Sequence, residues 1–304
     1  MSDVNTSRWA SLPTEQRNPA SAHIDEASTL RILEILNEED RKVPRAVNAV
    51  LPQVAEAVEL VVMAMRNGGR LFYVGAGSSG RLGVLDAAEC APTFGTPQGT
   101  VQGIVAGGAG ALLRAAERAE DRPEDGAREL RRRNLSERDI VMGIAASGVT
   151  PFVLGALEYA RRKGADTVFF TCNPNAAGQV DAKISIVPEV GPEAITGSTR
   201  LKAGTATKIV LNMISTASMV RMGKVYGNLM VDLTPTCAKL NDRARRILME
   251  TTGLSHEDSR RLLVAAGDLK TAIVMSKRAV SKETARQLLV ENGGIVRLAL
   301  TNRT

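Results

Sequence analysis

The sequence predicts an α/β fold in which a five-stranded parallel sheet is flanked by helices, with N-terminal helices and a small C-terminal helical bundle. After residue 69, five short runs rich in β-branched and aromatic residues alternate with segments long enough for helical crossovers, such as 151–163. Parallel strands that are covered by helices on both faces have this pattern. No strand-like run follows residue 226, which predicts the helical C-terminus. The predicted strands are residues 71–74, 101–105, 140–144, 167–172 and 184–187.

Two amphipathic helices are predicted to precede the sheet. Apolar residues recur at helical spacing over residues 29–36 and again over 47–65. Pro44 suits the first turn of a helix, whereas Pro52 predicts a kink or an interruption, because proline lacks the amide hydrogen that a helix interior needs. Gly68 predicts the end of the second helix.

The second half of the chain is predicted to end in helices. A long helix over residues 199–222 closes the α/β region. Ser255, Asp268 and Ser281 suit the N-caps of the last three helices, and Gly293 suits a helix end. These later helices are expected at residues 236–251, 257–266, 269–275 and 282–291. We expect three domains: an N-terminal helical arm at 1–54, the α/β domain at 55–225 and a small helical domain at 226–304.

The composition argues against membrane and nucleic-acid partners. Residues 1–21 are polar, and the chain nowhere supplies the roughly 20 consecutive apolar residues of a membrane span. The net charge is +6, but the basic residues are spread over many segments, and aromatic residues, at 3%, leave little for base stacking. We therefore expect a cytoplasmic protein that binds neither a membrane nor a nucleic acid.

No metal site is predicted. Cys90, Cys172 and Cys237 are far apart, and each lacks a nearby Cys or His at metal-ligand spacing, so we interpret them as reduced packing residues. His23 and His256 have no evident metal or nucleophile partner in the sequence and are expected to be structural.

The strongest local signal is the first loop, residues 75–81 (GAGSSGR), which follows a predicted strand and opens a predicted helix. Glycines such as Gly77 let the backbone turn tightly, while helix-start amides and the hydroxyls of Ser78 and Ser79 can bind phosphate oxygens. The glycines also fit the dinucleotide pattern G-x-G-x-x-G, but residues 105–108 (VAGG) lack the acidic residue that holds a ribose. An anion site is favoured over a nucleotide site or a purely structural turn, and no cofactor is expected.

The second loop, residues 145–151 (AASGVTP), also follows a strand and precedes a helix, with Pro151 at a first-turn position. Ligands of parallel α/β sheets bind at the carboxyl ends of the strands, where both loops should lie. Taken alone, Ser147 and Thr150 suit ordinary helix caps. Paired with the first loop, these two hydroxyls and Gly148 predict a two-sided phosphate cradle.

These features resemble a known family. Two hydroxyl-bearing loops on a five-stranded parallel domain look like the sugar-isomerase phosphosugar-binding domain, and the chain resembles the N-acetylmuramic acid 6-phosphate etherases over nearly its whole length. One departure is Ser78, where the family commonly has Thr; the hydroxyl is kept. The matching segments are residues 15–19 (EQRNP), 75–83 (GAGSSGRLG), 85–90 (LDAAEC), 119–121 (AED), 143–148 (GIAASG), 191–193 (GPE), 196–204 (TGSTRLKAG) and 227–232 (GNLMVD).

The resemblance implies a carbon–oxygen lyase of cell-wall amino-sugar recycling. The family cleaves the ether between D-lactate and C3 of N-acetylmuramic acid 6-phosphate by elimination and hydration, giving N-acetylglucosamine 6-phosphate and D-lactate. Its two glutamates match Glu89, the expected acid for the departing lactate oxygen, and Glu120, the expected base at C2. The family pattern also implies that Glu193, Ser198 and Lys202 line the sugar pocket. The residues alone allow solvated glutamates near helix ends, before Pro92 and Pro123, and an ordinary helix cap at Ser198.

One distance within the predicted site needs an explanation. Glu89 follows Ser79 by ten residues, which is about 15 Å along a continuous helix. In a hexose 6-phosphate, C3 is nearer to the phosphate than that. Either the helix ends early and folds back, or another subunit completes the site. Our hypothesis is a homodimer with shared sites near the subunit interface.

Two other classes of protein fit the same fold. One is a non-catalytic phosphosugar sensor, as in glucokinase regulatory protein or sugar-responsive transcription factors. The other is an aldose–ketose phosphosugar isomerase, which would also remove the C2 proton but would not release lactate. The presence of both Glu89 and Glu120 favours the etherase.

Overall fold

The computed structural model describes residues 12–114, 116, 118–233 and 238–301. The described residues form two units, one made of residues 12–88 and 99–215 and the other of residues 89–98 and 216–301. The three-part division at residues 54/55 and 225/226 stays a prediction.

The first unit contains the predicted parallel sheet. Its five strands run in the order β2-β1-β3-β4-β5, and every neighbouring pair is parallel. Gly75 is aligned with Val105 on one side and with Ile144 on the other, so three strands end at the same level. The predicted fold class is therefore confirmed. The strands are β1 (Leu71–Gly75), β2 (Val101–Val105), β3 (Ile140–Ile144), β4 (Asp166–Phe170) and β5 (Ile184–Ile186).

The N-terminal helices form as predicted, with one break between them. Pro52 lies in the first turn of a new helix, and the helices before and after Val50 meet at 61°. The predicted interruption is confirmed, because proline fits a first turn but not a helix interior. The helices up to residue 221 are α1 (Thr29–Asp40), α2 (Val43–Ala49), α3 (Leu51–Arg66), α4 (Gly77–Phe94), α5 (Pro123–Arg132), α6 (Pro151–Arg162), α7 (Pro174–Ala177) and α8 (Lys202–Arg221).

One buried apolar cluster of the first unit lies between the sheet and α6. Phe72, Val141 and Phe169 of the strands pack in one buried cluster with Phe152 and Leu157 of α6. The helices α5 and α6 approach so closely that a Cβ atom built at Gly126 would lie 2.0 Å from the carbonyl oxygen of Phe152. Burial of these apolar side chains is what holds α6, and the loop before it, on the sheet.

The second unit contains the predicted helical bundle. Ser255, Asp268 and Ser281 each accept a hydrogen bond from the backbone amide three residues on, so the predicted caps are confirmed. Gly293 has a φ of 61° just beyond the last predicted helix. Two features were missed, a short hairpin and the final helix. The elements are β6 (Val225–Tyr226), β7 (Leu229–Met230), α9 (Ala238–Thr252), α10 (His256–Ala266), α11 (Leu269–Arg278), α12 (Lys282–Glu291) and α13 (Val296–Thr301).

Within the described part of the chain, no single helix is long and apolar enough to cross a membrane; residues 29–49 and 51–66 meet the length and hydropathy test only as a bent pair. Cys90 and Cys172 are buried and form no disulfide within the described residues, whereas Cys237 and the predicted helix start at residue 236 lie outside them. His23 is exposed beside Glu26, with 3.6 Å between Nδ1 and Oε1.

Candidate active site

The first loop lies where the sequence predicts it, between the end of β1 and the start of α4. Gly77 has a φ of 52°, and Ser78 and Ser79 are half-buried in the first turn of α4. Strand and helix are in close contact, because a Cβ atom at Gly80 would lie 2.6 Å from the carbonyl oxygen of Gly75. The first amides of a helix have no partner within the helix, and the helix dipole favours negative charge there. This corner can therefore hold an anion.

The second loop connects β3 to α6 and is held from beneath by the residues that follow β4. The side-chain amide of Asn173 donates to the carbonyl oxygen of Ser147 at 2.9 Å, and the hydroxyl of Thr171 donates to the carbonyl oxygen of Ala146 at 3.2 Å. Gly148 has a φ of 82°, in the left-handed region that glycine tolerates. Thr150 occupies the N-cap position of α6, yet its side chain makes no capping hydrogen bond. The hydroxyl of Thr150 is thus not used to cap the helix.

The structure brings the two loops together. They leave neighbouring strands at the same level, since Gly75 is aligned with Ile144, and adjacent strands lie about 4.8 Å apart. Ser78, Ser79, Ser147 and Thr150 all follow the carboxyl ends of these strands. The arrangement provides hydroxyls and helix-start amides from two sides, which is the donor set that a phosphate group needs.

Glu120 lies at the same edge of the sheet, in a loop that follows β2. The amide of Ala106 donates to the carbonyl oxygen of Gly75 at 3.0 Å, and a Cβ atom at Gly107 would lie 3.4 Å from Cβ of Ala119. Residues Ala119–Asp121 form a 3-10 turn in which Glu120 is exposed. The turn that carries Glu120 therefore packs beside the residues that follow β2, and the carboxylate is open to solvent.

The structure excludes one of the two explanations for the distance between Ser79 and Glu89, namely an early end of the helix. Helix α4 runs from Gly77 to Phe94 with Pro92 inside it, so the helix does not end before Pro92 and does not fold back. The separation of about 15 Å along the helix between Ser79 and Glu89 therefore stands. Pro92 has no amide hydrogen, so α4 lacks one backbone hydrogen bond at this position. The Glu89 side chain is exposed, as is Leu85 one turn earlier.

Glu193 and Lys202 are engaged with other groups of the protein. The two carboxylate oxygens of Glu193 accept hydrogen bonds from the backbone amides of Lys202 and Ala203, each at 2.9 Å, so Glu193 caps α8. Ser198, the cap considered from the sequence, is half-buried in the segment just before the helix. Burial raises the pKa of Glu193, against the opposing effect of the two amide hydrogen bonds.

Lys202 forms a buried ion pair with Glu39 of α1, a residue that sequence reasoning did not select. The Lys202 Nζ to Glu39 Oε2 distance is 2.5 Å, and both side chains are almost fully buried. Burial would raise the pKa of Glu39, but hydrogen bonds from Lys202, Lys42 and Asn18 outweigh it and lower the pKa to about 2. No local pattern could have identified this pair, because its members are 163 residues apart.

A cavity of about 750 Å³ opens beside the second loop, on the side of α6 and α7. Its lining includes Gly148, Leu154, Glu158 and Asn175, whereas Ser78 and Ser79 do not contribute to it. The cavity and the paired loops are therefore different places that share Gly148, Val149 and Pro151 of the second loop.

Comparison with known proteins identifies the family. Residues 53–161 match the family model of the glucokinase regulatory protein N-terminal SIS domain. The N-acetylmuramic acid 6-phosphate etherase of Yersinia pestis (strain Pestoides F) is 53% identical over 290 residues, covering 95% of this chain and 98% of the relative. The etherase of Yersinia pseudotuberculosis serotype O:1b has the same identity and coverage. The chain belongs to the N-acetylmuramic acid 6-phosphate etherase family.

Solved structures with a similar fold are more distant than these etherases. A phosphoheptose isomerase from Francisella tularensis superposes with a TM-score of 0.48 at 17% identity, covering 64% of this chain and all of that one. The phosphoheptose isomerase GmhA from Neisseria gonorrhoeae gives a TM-score of 0.45 at 17% identity, covering 62% of this chain and 97% of that one.

Proposed function

We propose that this chain cleaves the D-lactyl ether of N-acetylmuramic acid 6-phosphate, giving N-acetylglucosamine 6-phosphate and D-lactate, as a cytoplasmic carbon–oxygen lyase of amino-sugar recycling. The observation that carries the proposal is the 53% identity to curated etherases over 95% of the chain. The two hydroxyl-bearing loops at the carboxyl ends of β1 and β3 support it, because they suit the phosphate of such a substrate.

The proposed reaction begins with the open-chain sugar, whose aldehyde acidifies the proton at C2. Glu120 removes that proton, the C3–O bond breaks, and Glu89 protonates the lactate oxygen as it leaves. Water then adds to the C2–C3 double bond, with a proton returning to C2 and the hydroxyl to C3. The sugar phosphate and D-lactate together contain the atoms of the substrate plus one water, and no cofactor or metal is part of the proposal.

In this proposal the phosphate is held by the amides and hydroxyls of Gly77, Ser78 and Ser79 from the first loop and of Ser147, Gly148 and Thr150 from the second. The remaining three predicted site residues, Glu193, Ser198 and Lys202, belong to the segment that leads into α8. Glu193 bonds backbone amides and Lys202 bonds Glu39. We therefore propose that these two residues fix the shape of the sugar pocket.

We further propose a homodimer in which each site takes one of its glutamates from each subunit. The unbroken helix α4 supports this, because a single sugar phosphate cannot span the distance from Ser79 to Glu89 along it. The exposed Leu85, 54% accessible one turn before Glu89, is the kind of apolar side chain that a second copy would cover.

The test of the reaction is release of D-lactate from N-acetylmuramic acid 6-phosphate. Glu89→Gln and Glu120→Gln should each lower kcat by about 10²- to 10⁴-fold, the usual contribution of a positioned acid or base. Glu124→Gln, in the first turn of α5 and exposed, is the matched control and should keep full activity. A wild-type protein that releases no lactate would refute the assignment.

The shared site has its own test. A mixture of Glu89→Ala and Glu120→Ala proteins, after verified subunit exchange, should regain activity, because a quarter of all sites in a random mixture would then be intact. No activity after exchange would show that both glutamates of a site come from one subunit.

A second candidate function is non-catalytic sensing of a phosphosugar. The observation that favours it is the match of residues 53–161 to the SIS domain of a regulatory protein. A sensor would bind the sugar phosphate without releasing lactate. An aldose–ketose isomerase would convert a sugar phosphate and also release none, so the lactate assay separates the etherase from both other classes, and conversion of the sugar phosphate separates an isomerase from a sensor.

A further inference from the structure

The segment that leads into α8 has no regular secondary structure of its own. Residues 191–201 contain turns and bends and two glycines with positive φ, Gly191 at 69° and Gly197 at 77°. An irregular segment of this length loses considerable conformational entropy when it is fixed. Its position must therefore be set by contacts from elsewhere in the unit.

The first set of contacts comes from the N-terminal residues 14–21, which include the segment EQRNP. The side-chain amide of Asn18 donates to the carbonyl oxygen of Pro192 at 3.1 Å, and the hydroxyl of Ser21 donates to the carbonyl oxygen of Ala194 at 2.7 Å. The amide of Gly197 donates to the carbonyl oxygen of Thr14 at 2.9 Å. Three consecutive parts of the irregular segment are thus tied to one short stretch of chain.

The second set comes from α1. Glu39 bonds Lys202 at the end of the segment, and the backbone amide of Lys202 in turn donates to Glu193 at 2.9 Å. Asn18 also donates a hydrogen bond to Glu39, which joins the two sets. The carboxylate of Glu39 is 2% accessible, so its charge is compensated by protein groups and not by water.

One residue of this segment interacts with a neighbour of the second loop. Glu193 lies close enough to Cys172 for its charge to raise the pKa of that buried thiol further than burial alone does. The amide of Cys172 donates to the carbonyl oxygen of Ala146, in the second loop, at 3.0 Å. Glu193, which bonds the start of α8, therefore interacts with a residue that is itself hydrogen-bonded to the loop that holds Ser147.

We propose that Glu39 and Asn18 are positioning residues, which hold residues 191–201, with Glu193 and Ser198, against the sugar of the bound substrate. The inference rests on the proposed function, because it assumes that a phosphosugar occupies the two loops. Neither residue touches the substrate. They act through Lys202 and Pro192, and their loss should loosen the sugar subsite while leaving the phosphate loops intact.

The test compares Glu39→Gln and Asn18→Ala with Glu38→Gln, a neighbour on the exposed face of α1 that pairs with Arg31 at the surface. Affinities for N-acetylglucosamine 6-phosphate and for inorganic phosphate are measured by calorimetry on folded protein. We expect the affinity for the sugar phosphate to fall at least tenfold in both variants, with that for inorganic phosphate unchanged. Glu38→Gln should leave both affinities unchanged.

The outcomes separate this proposal from the reaction itself. If Glu39→Gln does not fold, Asn18→Ala decides the question, because it removes hydrogen bonds without leaving Lys202 unpaired. Equal losses for the two ligands, or no loss for the sugar phosphate, would overturn the positioning role. Failure of the wild type to release lactate would refute the proposed reaction, while the difference between the two affinities would still measure the positioning role.

Discussion

Replacing Lys202 by methionine tests how strongly the buried pair stabilises the protein. Methionine keeps the length and the apolar stem of the side chain but removes the ammonium group, which leaves the Glu39 carboxylate 2.5 Å from where its partner was. Both side chains are 3% accessible or less. A buried charge that has lost its partner costs about 3–5 kcal/mol.

The structure places the expected loss at the lower end of that range. Glu39 keeps its hydrogen bonds from Lys42, at 2.5 Å, and from Asn18. We therefore expect Lys202→Met to lower the free energy of unfolding by about 3 kcal/mol, which corresponds to a fall in Tm of about 6–12 °C for a unit of this size.

Urea denaturation followed by circular dichroism measures this loss. Lys183→Met is the matched control, since Lys183 pairs with Asp166 at 2.8 Å but both are solvent-exposed. That change should cost less than about 1 kcal/mol. The double variant with Glu39→Gln should lose less than the sum of the two single changes, by about 1 kcal/mol or more. Equal losses for Lys202→Met and Lys183→Met would refute the reasoning.

Three further predictions follow from the same structure. The pKa of Glu39 is lowered from 4.5 to about 2, so the stabilisation by its carboxylate is complete above pH 4.5 and is lost as the pH falls through about 2. Acid titration should therefore show a smaller loss of stability in this pH range for Glu39→Gln than for wild type. An equal loss in the two proteins would contradict this prediction. In Gly148→Ala the new Cβ would lie 2.2 Å from Cβ of Ala176, so the free energy of unfolding should fall by about 1–3 kcal/mol. Urea denaturation measures this loss, with Gly178→Ala as the control, because a Cβ atom at Gly178 would meet no atom within 4 Å. Ser79→Ala removes a proposed phosphate donor and should raise KM about 10- to 100-fold; an unchanged KM would place the phosphate elsewhere.

Much of the fold could be predicted because its causes are local. The apolar runs of β1 and β3 are fully buried, as continuous apolar strands in a parallel sheet are expected to be. Ser255 and Asp268 cap the helices that they precede, because a cap bonds an amide only three residues away. The glycines of the first loop mark the tight turn between strand and helix.

Other features of the fold could not be predicted from such local patterns. Pro92 predicted a nearby helix end but lies inside α4, which continues to Phe94. Glu193 caps α8 from nine residues upstream, so a search for caps beside the helix selects Ser198 instead. Neither departure can be seen from residue types at short spacing.

The sequence by itself determined the order of the elements and the two hydroxyl-bearing loops, because periodicity, capping and glycine turns act within a few residues. Only the tertiary structure joined Asn18, Glu39, Glu193 and Lys202 into one network, since Glu39 and Lys202 meet across 163 residues of chain. A buried charge must find its partner in space, and that position is set by how the sheet and helices pack.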